Sequence, residues 1–63
     1  MTSDELFDTM LKIEESGQPL LSYDKIYAAS KSKYTLIRSE TAIVLSYYPD
    51  NFAIPILLTL LQD

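Results

Sequence analysis

The strongest constraint on this chain is a break in its most apolar stretch. Two apolar runs, Ala42-Ile43-Val44-Leu45 and Phe52-Ala53-Ile54-Pro55-Ile56-Leu57-Leu58, are split by Tyr48-Pro49-Asp50-Asn51. A spanning helix needs about 20 predominantly apolar residues in succession, and neither run approaches that. An interfacial helix usually carries Lys or Arg on its polar face, but no Lys or Arg follows Arg38. The stretch from Thr41 to Leu61 is therefore expected to form a core that the first two thirds of the chain cover, with no membrane association.

Upstream, the punctuation is clear. Thr2 and Glu5 fit a capping box, and Asp4, Glu5 and Asp8 sit where the helix dipole favours negative charge. Leu6, Met10 and Ile13 follow at helical spacing beside Phe7 and Leu11, with Asp8, Lys12 and Glu15 opposite. Gly17 reads as the residue that closes this helix, and Pro19 blocks its continuation. Ser22 then caps a second predicted helix running to about Ser30, with Leu21 and Ile26 spaced as a hydrophobic staple.

Residues 34–48 admit two readings. One is a helix capped at Ser39, with Ile43, Val44, Tyr47 and Tyr48 facing inward. The other is a hairpin turning at Ser39-Glu40, favoured by the β-branched and aromatic content but not by the turn pair, since two-residue hairpins want Asn-Gly or Asp-Gly. The helical reading is preferred. A final helix is predicted over residues 52–61, capped by Asp50 or Asn51. Pro55 suits only a first turn, so the regular helix should begin near Ile54 or kink there. The expected fold is a single small all-α domain over residues 1–63, a bundle of three to four short helices; the alternative is α+β with a hairpin near 34–48.

Composition closes off most chemistry. With no Cys and no His, there is no thiol or imidazole for nucleophilic or general-base catalysis, and no disulfide or thiolate–imidazole zinc site. The single Gly leaves no phosphate-binding loop. The paired carboxylates Asp4 and Asp8, and Glu14 and Glu15, read as a solvated face. The expectation is a non-enzyme without metal, cofactor or small-molecule substrate. A formal net charge of −4 opposes nucleic-acid binding, which needs a basic face. The N-terminus lacks a basic region followed by an apolar one, so the expected compartment is the cytoplasm.

Charge is unevenly placed. Asp4, Glu5, Asp8, Glu14 and Glu15 crowd the first helix, whereas Lys25, Lys31, Lys33 and Arg38 crowd the middle. The two halves are expected to face each other, within one chain or across a dimer. The competing reading places Tyr27 and Tyr34 with the bases against nucleic acid.

A chain of 63 residues with 48% apolar content has a high surface-to-volume ratio and none of the usual staples, which leaves association as a source of stability. The expected function is a small acidic protein–protein interaction module or regulatory adaptor, a homodimer or the partner of another protein. The expected contact residues are Tyr47, Tyr48, Phe52, Ile56, Leu60 and Leu61. The alternatives are a helix-turn-helix regulator, which would need exposed bases on its recognition helix, and an acidic inhibitor that mimics nucleic acid.

Overall fold

The computed structural model describes residues 2–62. Helix α1 (Ser3–Ser16) starts where the capping box places it. The Thr2 hydroxyl accepts from the Glu5 N–H at 3.2 Å, and the Glu5 carboxylate accepts from the Thr2 N–H at 3.3 Å. These bonds from Thr2 hold the Glu5 carboxyl below its ordinary range. At the other end Gly17 takes φ +70°, and its N–H returns to the Ile13 carbonyl at 2.8 Å. Asp8 and Lys12 pair at 3.2 Å on the outer face.

Helix α2 (Tyr23–Ser30) is capped by the Ser22 hydroxyl, which accepts from the Lys25 N–H. Leu21 and Ile26 are both buried in the core, as the staple requires.

Helix α3 (Thr35–Val44) corrects the expected start. It begins five residues before the position expected from a Ser39 cap, and Ser39-Glu40 lies in mid-helix. The hairpin alternative falls with it, since no strand occurs among the described residues. The entry comes from an upstream serine instead: the Ser32 hydroxyl accepts from the Tyr34 N–H at 3.1 Å and turns the chain into the helix. Val44 and Tyr48 are buried as expected, but Ile43 and Tyr47 are exposed.

A turn of 3-10 helix, Leu45–Tyr47, leads to α4 (Asp50–Leu61). Pro49, not Asp50 or Asn51, occupies the N-cap, and its carbonyl accepts from Phe52 and Ala53 at 3.0 and 2.9 Å. The helix continues past Pro55 rather than starting near it. Pro55 has no N–H for the Asn51 carbonyl, a loss tolerated one and a half turns into the helix because that end is exposed.

The core does not lie in the last third alone. Met10 and Ile13 from α1, Leu21, Ile26 and Ala29 around α2, and Ile37 and Val44 from α3 are buried together with Leu45, Tyr48, Ala53 and Ile56. Helix α3 packs against α1, α2 and α4, so it is the hub. From α4 only Ala53 and Ile56 are buried; Phe52, Leu57 and Leu60 cover the core's edge. Tyr48 ties the last part of the chain to the second helix. Its hydroxyl donates to the Leu21 carbonyl at 2.7 Å and accepts from the Leu21 N–H at 3.1 Å.

Candidate interaction surfaces

Helix α4 is apolar at nearly every position from Phe52 to Leu61, so it cannot hide all of its side chains against one neighbour. Its inner face, Ala53 and Ile56 with Leu60 at the margin, meets the core. Its outer face presents Ile54, Leu58 and Leu61 at 51%, 55% and 81% exposure. Their i, i+4, i+7 spacing makes them one stripe. Beside it runs an open groove between α3 and α4, lined by Thr35, Arg38, Ser39 and Ala42 on one side and Leu57, Leu60 and Leu61 on the other.

The expected contact residues divide between surface and interior. Leu61 is on the outer stripe and, with Leu60, lines the groove. Tyr47 is exposed at the end of the 3-10 turn. Tyr48 and Ile56 are buried within the chain, so neither side chain is presented to a partner. Burial also pushes the Tyr48 phenol above its ordinary value. Phe52 is half-buried; its ring stacks on Tyr23 with centroids 4.2 Å apart, and both rings pack against Tyr48. The sequence reading missed Ile54 and Leu58. Their spacing with Leu61 was the available signal, but a helix apolar all round gives no clue to which side is inside.

The basic middle of the chain forms a separate surface. Lys31 lies over the Tyr27 ring at 5.4 Å and Lys33 over the Tyr34 ring at 5.3 Å, with both rings exposed. Arg38 is turned back on its own chain, donating to the Ser32 carbonyl at 2.6 Å and to the Thr35 hydroxyl at 3.3 Å.

A third location, between α1 and α3, holds a buried carboxylate. Glu40 is 7% exposed, on the side of α3 that meets Glu14 of α1. Burial, then the hydrogen bond and the charge of Glu14, push the Glu40 carboxyl up from 4.5 to about 7. The Glu40 Oε1 atom is buried without a hydrogen-bond partner. Glu14, grouped with the solvated acids in the sequence, is half-buried. Nothing local marks this pair, because the two residues meet only when α1 docks on α3.

Among the described residues no helix is long and apolar enough to cross a membrane. No family model, curated protein sequence or solved structure matches this chain.

Proposed function

We propose that this chain is a small acidic protein–protein interaction module, without catalytic activity, that associates with a second copy of itself through the outer face of α4. The observation that carries the reading is the exposed stripe of Ile54, Leu58 and Leu61. Three large aliphatic side chains in line on one helix are a costly surface to leave in water. A second α4 laid against the first covers both stripes, because a two-fold contact buries the same patch on each copy. Chain length supports the same reading, since a domain of about 60 residues buries only about 60% of the surface that its unfolded chain exposes. The helix-turn-helix alternative draws less support: α3 carries a single base, Arg38, and that side chain is engaged with Ser32 and Thr35.

Sedimentation equilibrium on the parent and on Leu58→Glu tests the proposal. The parent should sediment as a dimer at micromolar concentration, and Leu58→Glu as a folded monomer. A parent that stays monomeric at high micromolar concentration refutes it.

A further inference from the structure

The chain has no His, so it lacks the side chain whose ordinary pKa makes it a sensor near neutral pH. The α1–α3 contact supplies a substitute. Glu40 and Glu14 approach each other from two helices, and Glu40 is more than nine-tenths buried with Oε1 unpartnered. Two carboxylates in such a place cannot both ionise without repulsion, and an unpaired buried charge adds a desolvation cost. With Glu40 protonated, its carboxyl can donate to Glu14 and the contact is attractive.

Among the described residues, no cation is among the groups that shift the Glu40 carboxyl. Of the charged groups on elements packed against α3, Glu14 is the one that acts on Glu40. Lys12, on α1, is paired with Asp8 at the surface. Asp24 and Lys25 of α2 and Asp50 of α4 are exposed. Arg38, on α3 itself, is turned toward Ser32 and Thr35.

We infer that the α1–α3 interface is a pH-dependent latch, in which a proton on Glu40, facing Glu14, holds α1 down and its loss loosens that helix. The latch acts on the core directly. Met10 of α1 touches the Thr41 hydroxyl of α3, Sδ to Oγ1 at 3.7 Å, and both residues are fully buried. Loosening α1 therefore uncovers Met10 and Ile13 on one side and Ile37 and Thr41 on the other, a new apolar surface distinct from the α4 stripe.

The direction follows from proton linkage. The docked form raises the Glu40 pKa from 4.5 to about 7, so it binds more protons than the loosened form between those values. Docking is then strongest at the acid end, weakens as pH rises through this window, and is weakest above about 7.

Hydrogen exchange of the full chain, read by mass spectrometry on peptides covering α1 and corrected for intrinsic exchange, tests this. Protection of α1 should fall about tenfold or more between about pH 5 and about pH 8 in the parent, as expected for a lost proton. It should stay flat in Glu40→Gln, which keeps the shape and removes the titration. In Glu14→Gln the midpoint should move to lower pH, because one of the groups that raises the Glu40 pKa is gone; this variant also serves if Glu40→Gln does not fold. Parent protection that does not change with pH overturns the latch. So does a parent-like fall in Glu40→Gln, or an unmoved midpoint in Glu14→Gln.

Discussion

Removing one oxygen atom, in Tyr48→Phe, should unsettle this domain more than most whole-side-chain truncations on its surface. The hydroxyl holds both backbone groups of Leu21, at 2.7 Å to the carbonyl and 3.1 Å from the N–H, across 27 residues of chain. Both residues are buried, so water cannot replace it at Leu21. The phenylalanine ring preserves the contacts with Tyr23 and Phe52, leaving the hydrogen bonds as the difference. A buried polar group left without its partner costs about 1–3 kcal/mol, and two are orphaned, so we expect a loss of about 2–6 kcal/mol. A domain of 63 residues has a total stability of only about 3–9 kcal/mol. Even the lower end of that loss corresponds to a melting point lower by about 8–16 °C. Urea denaturation followed by far-ultraviolet circular dichroism measures it, with Tyr47→Phe as the exposed control. A Tyr48→Phe midpoint that matches the Tyr47→Phe midpoint would show that the clamp adds nothing, and the reasoning from orphaned backbone groups would fail here.

Leu45→Ala should cost about 2–5 kcal/mol, since Leu45 is fully buried, whereas Leu57→Ala should cost about 1–2 kcal/mol. Paired denaturant melts check the order, and a larger loss at Leu57 would show that α4 contributes more to the core than its burial implies. Gly17→Ala should cost about 1–2 kcal/mol from its left-handed backbone alone, because a Cβ there meets nothing within 4 Å. A thermal melt unchanged from the parent would contradict that.

The local signals in the sequence were sufficient for the parts of the fold that local chemistry decides. A Thr-x-x-Glu box, a Ser cap with its staple and a glycine before proline act within a few residues. They placed both ends of α1 and the start of α2 without reference to the rest of the chain. Pro49 likewise marked the break between the apolar runs. Where no such signal exists, the reading drifted. Tyr34 caps α3 without a side-chain bond, so Ser39 looked like the better start; packing of Ile37 and Thr41 into the core decided otherwise. Pro55 looked like a boundary or a kink, and α4 runs through it.

Only the tertiary structure could choose which side of α4 faces water, because Leu58 and Leu57 are the same residue type and differ only in what lies beside them. The same holds for the acids. Glu15 remains in solvent, while Glu14, its chain neighbour, is half-buried against Glu40. A helix turns about 100° per residue, so adjacent side chains enter different environments. Burial and pKa belong to the neighbours that docking brings, and a single sequence read along its length does not contain them.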